Sequence, residues 1–344
     1  MRVTINDIAR VAGFSKTAVS FAFNDPSRIS TDTRDKILSV AEQLGYVPDP
    51  VARNLSLKRV GTIGFLVPQT ISEAFANPYI SQILLGIGDA CQEEEYSLTV
   101  VPPIRNNIFD GVRNAAVDGF ITMGLQPEMK VVQLIKQRHI PFVTIDGRPS
   151  REVPSVNVND EQAAYHQMKY ILDQGHRRLA ILCLEIPIGS EQGEFGGVSE
   201  WRLSGYRRAL KEFDLDVTHD HISLRYCHTT FESGAEQLSA ILEESKPQPT
   251  AVVAMSDVIA IGAMKLLESL RIRVPQDISI VGFDDIPEAK MIVPNLTTIH
   301  QPGYEKGKKA GEMLFGLLAG KKTEYRIEYN CTLEVRSSVA ALVP

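Results

Sequence analysis

Residues 3–20, Val-Thr-Ile-Asn-Asp-Ile-Ala-Arg-Val-Ala-Gly-Phe-Ser-Lys-Thr-Ala-Val-Ser, decide how this chain is read. Thr4 followed three places later by Asp7 is a helix start close to a capping box. Ile5, Ile8, Ala9 and Ala12 recur at helical spacing, and Gly13 can take the left-handed conformation that ends a helix and turns the chain. Ser15 then caps a second helix, expected over residues 16–24. Two helices that cross tightly need a small residue at the contact, a glycine at the turn and an aliphatic wedge from the second helix. Ala9, Gly13 and Val19 supply them. In the second helix Ala18, Val19, Ala22 and Phe23 form the inward set, while Thr17, Ser20, Phe21 and Asn24 face out, with Lys16 at the exposed start. A third helix follows Ser30, with Ile37, Val40, Ala41 and Leu44 inward, and ends at Gly45. Residues 1–46 thus read as a three-helix, helix-turn-helix head.

A recognition helix presents its N-terminal side chains to base edges. Lys16, Thr17, Ser20, Phe21 and Asn24 are therefore the candidates for reading double-stranded DNA. Helix N-termini offer backbone N–H groups to phosphates, which places Thr4, Ser15, Ser30 and Thr33 near the DNA backbone. Capping accounts for part of what these hydroxyls do, and the two roles are compatible. Residues 47–60 form the next unit. Val47-Pro48-Asp49-Pro50 closes the head, and the segment up to Leu55 is too short to be a stable helix by itself. It can fold on docking in the minor groove, with Ala52 allowing close approach, Arg53 beside it and Leu55 as an apolar wedge. An ordinary linker whose Leu55 packs on the body is the other reading.

Net charge over the 344 residues is −6, which alone argues against nucleic acid. The distribution reverses that argument. Residues 1–60 hold nine cationic and six anionic side chains, a basic end on an acidic body. Cys91, Cys183, Cys227 and Cys331 stand far apart, so buried thiols are expected rather than disulfides or a zinc site. No apolar run reaches bilayer length, and the N-terminus shows no signal-peptide pattern, so a cytoplasmic, nucleoid-associated protein with no membrane contact is expected.

From Gly61 onward apolar strands alternate with amphipathic helices. Strand-like runs are residues 62–67, 97–101, 119–123, 142–145, 179–184, 222–226, 251–255 and 279–283; helical ones include 81–95, 163–174, 200–213 and 258–270. Such alternation with Val/Ile-rich strands implies an α/β body of parallel sheets covered by helices. Ligands bind such sheets at the carboxyl ends of strands. There stand Asp146 after PFVTI, Ser256 and Asp257 after AVVAM, and Asp284 and Asp285 after ISIVGF. Trp201, the only tryptophan, could stack on a ring-shaped ligand or pack in the core. Asp284 has a second reading as a helix N-cap. The Gly- and Glu-rich loop 186–198 suits a flap or a plain exposed loop, and His176 suits a structural role. GxGxxG, GxSxG and P-loop patterns are absent, as are metal-ligand spacings, so neither an enzyme nor a cofactor is expected.

The runs VTINDIARVAGFSKTAVS, RIS..TR.KIL and GYVPDPVARNLS, followed by GTIGFLVP, DQGHRRLAIL, WRLSGYRRAL, SDVIAIGAMKLL, DISIVGFDD and LTTIHQP, resemble the lactose/galactose repressor family of bacterial regulators over essentially the whole chain. The resemblance implies two doubly wound subdomains of periplasmic-binding-protein type within 61–344. The first is about 61–158 with 301–327, the second about 159–300 with 328–344. An effector, a sugar or a derivative, would lie between them. The family's ligand arginine falls on Arg202 and its late-strand aspartate on Asp284, while Ser256 replaces an asparagine; Asp146 and Trp201 complete the expected effector site. Its hinge leucine falls on Leu55. Many members carry arginine where this chain has Phe21; arginine can contact guanine bidentately, whereas Phe21 can only offer apolar contact, for example to a thymine methyl group. A homodimer on a palindromic operator follows from the resemblance and from the few contacts one head can make. The resulting reading is a repressor of a catabolic operon controlled by a small effector. A solute-binding module with a vestigial head is the alternative.

Overall fold

The computed structural model describes residues 3–48, 54, 59–105, 107–148, 150–185 and 197–342. The hinge candidates Ala52, Arg53 and Leu55, and loop residues 186–196, lie outside the described residues. The chain divides into a unit of residues 1–61 and a unit of residues 62–344.

The first unit holds α1 (Ile5–Ala12), α2 (Lys16–Asn24) and α3 (Thr31–Gln43). Local chemistry sets each start. The Asp7 carboxylate accepts from the backbone N–H and the hydroxyl of Thr4 at 3.1 and 2.8 Å. Ser15 Oγ accepts from the N–H of Ala18 at 3.1 Å, and Ser30 Oγ from that of Thr33 at 3.3 Å. Gly13 makes the α1–α2 turn at φ 72°, a conformation that penalises any Cβ. Ile8, Val19, Ala22, Ile37 and Ala41 form the buried core, with Ala9, Ala12, Phe23 and Leu44 packed around it. The inward face expected for α2 is the one that is buried.

The second unit contains two sheets. The first is ordered β11-β5-β4-β3-β1-β2, from β1 (Thr62–Leu66), β2 (Ser97–Val101), β3 (Gly119–Met123), β4 (Phe142–Ile145), β5 (Ser155–Val158) and β11 (Arg326–Tyr329). All its pairs are parallel. The second is ordered β12-β10-β9-β8-β6-β7, from β6 (Leu179–Leu184), β7 (Ile222–Cys227), β8 (Ala251–Ala254), β9 (Ser279–Asp284), β10 (Thr297–His300) and β12 (Thr332–Glu334). It is parallel except for the edge strand β12, which runs against β10.

The helices beyond α3 are α4 (Ile71–Ala76), α5 (Pro78–Glu93), α6 (Ile108–Asn114), α7 (Lys130–Gln137), α8 (Asp160–Asp173), α9 (Gly197–Lys211), α10 (Phe231–Glu244), α11 (Asp257–Ser269) and α12 (Gly303–Leu318). They cover both faces of each sheet, as doubly wound α/β layers require. Ile83 and Ile87 of α5 and Leu314 of α12 pack with Phe65, Ile121 and Val143. Val112, Val132 and Ile135 of α6 and α7 cover the opposite face with Phe120 and Phe142. In the second sheet, α8 and α9 pack on Ile181, Val253 and Phe283, and α10 and α11 on Leu182, Val252 and Ile280. The chain changes sheets after β5, after β10 and between β11 and β12.

The α5–α12 contact is closer than ordinary side chains allow. A Cβ at Gly86 would lie 2.0 Å from Tyr304 O, and one at Gly307 would lie 2.1 Å from Ile83 O. The two glycines face each other's helices, so the backbones touch there. Gly88, two residues along, has open space around it. Gly86→Ala should therefore destabilise the body by about 1–3 kcal/mol or more through overpacking. Gly88→Ala should instead add up to about 1 kcal/mol, because alanine is the better helix former. Urea unfolding of the two variants tests this: equal effects would contradict the crossing geometry.

Candidate functional site

On the head, Lys16 and Thr17 are exposed at the start of α2, and Ser20, Phe21 and Asn24 are half-buried. Asn24 Nδ2 donates to Ser20 Oγ at 3.3 Å, so these two hold each other. The guanidinium of Arg28 lies 5.2 Å from the centre of the Phe21 ring, and its Nε pairs with Asp25 at 2.8 Å. Arg28 was missed in the sequence because it lies beyond α2, in the short turn Pro26–Arg28. The hydroxyls of Ser15 and Ser30 cap their helices, and Ser30 Oγ donates to Thr33 Oγ1 at 2.9 Å.

In the body, residues from both sheets meet at the carboxyl ends of the strands. Asp146 follows β4, Asp160 follows β5, Asp284 ends β9 and Gln301 follows β10. Lys306, on α12, is fully buried among them. Its Nζ donates to Asp146 Oδ1, to Tyr79 OH at 2.6 Å and to Gln301 Oε1 at 3.1 Å. Tyr79 OH in turn donates to Asp146 Oδ2 at 2.8 Å. Because Lys306 can only donate, Gln301 must present its oxygen to Lys306 and its amide nitrogen to Asp284 Oδ1, at 2.5 Å. On the second sheet's side, Arg202 Nε donates to Asp160 Oδ1 at 2.8 Å, and Nη1 donates to Met255 O. Its guanidinium lies 3.6 Å from the centre of the Phe283 ring, a cation–π contact.

Of the residues expected from the sequence, Asp146, Arg202 and Asp284 come together here, all buried. Ser256 Oγ caps α11, accepting from the N–H of Ile259 at 3.4 Å. Trp201 is half-buried beside the first turn of α9, where a Cβ on Gly197 would lie 3.2 Å from its ring. Asp284 is no helix cap: the short helical turn that follows starts at Pro287, with Ile286 before it. His176 is buried between Thr250 Oγ1 and Ala340 O, both at 3.0 Å, which is a structural role. The four cysteines are free thiols. Tyr79, Asp160, Gln301 and Lys306 were missed. The signal for Lys306 was its place on an apolar helix stripe with Ala310, Met313 and Leu314, inside the basic run 306–309 that otherwise reads as a solvated face.

Several of these residues are strained. Asp146, Asp284 and Asp285 have φ of 56°, 129° and 57°, values that a residue with a Cβ adopts only where its surroundings over-determine it. Asp285 is held by Arg336 at 2.5 Å, His300 at 3.0 Å and Lys290 at 3.2 Å. Burial raises its carboxyl, but these partners outweigh that and hold it well below the usual range. The Asp284 carboxyl goes the other way, up to about 7, because burial outweighs the pull of Arg202 and of the Gln301 amide. Burial, with the neighbouring Asp284, also raises Asp257 to about 8, against the hydrogen bonds from Thr298 and the N–H of Ile286.

A helix-turn-helix unit joined to a two-sheet body with a buried polar cluster at its strand ends is the build of a DNA-binding regulator that answers to a small molecule. Residues 4–49 match the family model for bacterial regulatory proteins of the lacI family, and residues 168–339 that for a periplasmic binding protein-like domain. The chain is 33% identical to the HTH-type transcriptional repressor PurR of Vibrio campbellii, covering 98% of this chain and 99% of that one. It is 30% identical to the HTH-type transcriptional regulator Rv3575c of Mycobacterium tuberculosis, covering 91% and 90%. Among solved structures, the transcriptional regulator CelR in complex with cellobiose superposes with a TM-score of 0.70 at 25% identity, covering 98% of this chain and 100% of that one. The lac repressor dimer bound to operator and the anti-inducer ONPF shares the fold, with a TM-score of 0.81 at 24% identity and coverage of 99% and 100%. The chain belongs to the lacI family of bacterial regulatory proteins. It is a transcriptional repressor of the LacI/PurR type with a ligand-binding, periplasmic-binding-protein-like body.

The raised carboxyl of Asp284 makes stability depend on pH. Its folded value of about 7 lies above the ordinary 3.8, so the folded protein holds a proton that the unfolded chain has already lost. The stabilisation from that proton is complete below pH 4 and falls away as pH rises to 7. Asp284→Asn removes this dependence. Its Tm relative to the parent protein should therefore rise steadily between pH 4 and 8, while a constant difference would show that Asp284 titrates normally.

Proposed function

We propose that the protein is a homodimeric repressor of a catabolic operon, placing two heads on a palindromic operator under the control of a small, carbohydrate-like effector. The effector would lie among Asp146, Arg202 and Asp284, with Trp201 and Ser256 at the margin. The observation that carries this reading is the buried cluster itself, which draws polar groups from both sheets to the carboxyl ends of their strands. Carboxylates and an arginine suit a ligand rich in hydroxyls. The cellobiose-bound neighbour supports the choice, as does a family regulator from Enterococcus faecium with bound ribose, 25% identical with a TM-score of 0.69 over 82% of this chain. A change in the angle between the two halves of the body would pass to the hinge, where Ala52, Arg53 and Leu55 are assigned to the minor groove. Such coupling is reciprocal and typically amounts to about 1–3 kcal/mol.

Lys16 and Thr17 are assigned to base edges together with Ser20, Phe21 and Asn24, and Thr4, Ser15, Ser30 and Thr33 to phosphates. The protein would act in the cytoplasm, on nucleoid DNA. For the dimer, a groove of about 640 Å³ is lined by α11 and by residues from 271–276 and 292–294, and by none of the residues of the polar cluster. Met291 and Val293 stand beside it, 76% and 94% exposed. A second copy is its natural occupant, in keeping with the dimeric lac repressor neighbour.

Two measurements test the proposal. A thermal-shift screen of sugars and nucleosides against the full-length chain should raise Tm with at least one compound, and Asp284→Asn should abolish that shift. A panel without a hit, or a hit that Asp284→Asn leaves intact, would count against the assigned site. Val293→Asp should shift the protein towards monomer in sedimentation velocity and weaken operator binding. An unchanged dimer would move the interface elsewhere.

A further inference from the structure

Granted that an effector binds in this cluster, its donors and acceptors narrow what that effector can be. Lys306 carries three N–H donors, and Asp146, Tyr79 and Gln301 take all of them. Arg202 is paired with Asp160 and Met255 O and lies over the Phe283 ring. Each cation therefore already has a carboxylate partner within the protein. Against the two cations stand three carboxyl groups: Asp146, Asp160 and Asp284. Asp160 adds the decisive detail. It is buried, its Oδ1 takes the Arg202 Nε at 2.8 Å, and its Oδ2 has no hydrogen-bond partner among the described residues. A buried carboxylate oxygen without a donor is costly, and this one belongs to the same buried cluster, on the carboxyl that pairs with Arg202 and feels the charges of Asp146 and Lys306.

We infer that Asp160 contacts the effector, its Oδ2 accepting an O–H of the ligand, and that the site takes a ligand with no anionic group. A hydroxyl fits best, because it can donate to Asp160 while accepting one of the N–H groups that Arg202 leaves unengaged. A phosphate or carboxylate in the same place would face three carboxyl groups, and the one guanidinium with N–H groups left to offer, that of Arg202, is already ion-paired with Asp160. Phosphorylated and acidic versions of the ligand are thereby rejected.

The test is calorimetric titration of the full-length protein with matched pairs: neutral sugars and nucleosides beside their phosphate esters and the corresponding sugar acids. The neutral member should bind at least 10-fold more tightly than its anionic partner. Asp160→Asn keeps an oxygen for Arg202 but puts an amide N–H where Oδ2 stood. It should weaken the neutral ligand at least 10-fold and narrow the gap to the anionic one. An anionic ligand that binds as tightly as its neutral partner, yet loses binding in Asp284→Asn, would overturn this inference and leave the proposed site standing. A neutral affinity within twofold of the parent in Asp160→Asn would also overturn it. Failure of every pair to bind would remove the proposed effector site and the inference together. Should Asp160→Asn not fold, the comparison of pairs on the parent protein decides alone.

Discussion

A fully buried ammonium, that of Lys306, organises the body of this repressor. Taking a lysine out of water costs several kcal/mol after relaxation, and the position is tolerable only if every donor finds a strong acceptor. The three acceptors come from separate parts of the chain: Tyr79 from α5, Asp146 from the end of β4 and Gln301 from the crossing between β10 and α12. Lys306 can reach all of them because α12 lies against α5 backbone to backbone at Gly86 and Gly307. Helix packing sets the ammonium, the ammonium sets the Gln301 amide, and the amide sets the carboxyl of Asp284 on the opposite sheet.

This order of dependence explains what could be read from the sequence. The head was legible down to its caps, because capping, turn and helix–helix contact are all decided within twenty residues by Thr4, Asp7, Gly13, Ser15 and Val19. The inner strands were legible because parallel strands buried on both faces are continuous apolar runs. Strands β5, β10, β11 and β12 were not: SVNV, TTIH, RIEY and TLE are short and half polar, and pairing alone makes them strands. Asp146, Arg202 and Asp284 were reached through strand ends and a family resemblance. Lys306 and Asp160 were hidden, because their partners lie 160 and 42 residues away. Only the packing of distant elements turns a basic run and a helix start into buried charges.

The head shows the same limit on a smaller scale. Phe21, on the outward side of the second helix, offers only apolar contact. In three dimensions a guanidinium is still present nearby: Arg28 lies over the Phe21 ring and is held by Asp25. A ring beneath a guanidinium fixes its plane, which is what bidentate contact with a guanine edge or a phosphate requires.

The body carries its polar cluster on the segments that would have to move. The chain passes between the sheets after β5, after β10 and between β11 and β12, and Asp160 and Gln301 lie at the first two of these passages. A ligand can shift a conformational equilibrium only by contacts that differ between the states. The contacts that cross the cluster satisfy that condition, because a change in the angle between the sheets must change the distances from Lys306 and Asp146, on the first sheet's side, to Gln301 and Asp284 at the strand ends of the second. The left-handed backbone at Asp146, Asp284 and Asp285 is local strain kept at the same place. A site built on rigid strand interiors could bind a small molecule just as tightly and transmit nothing.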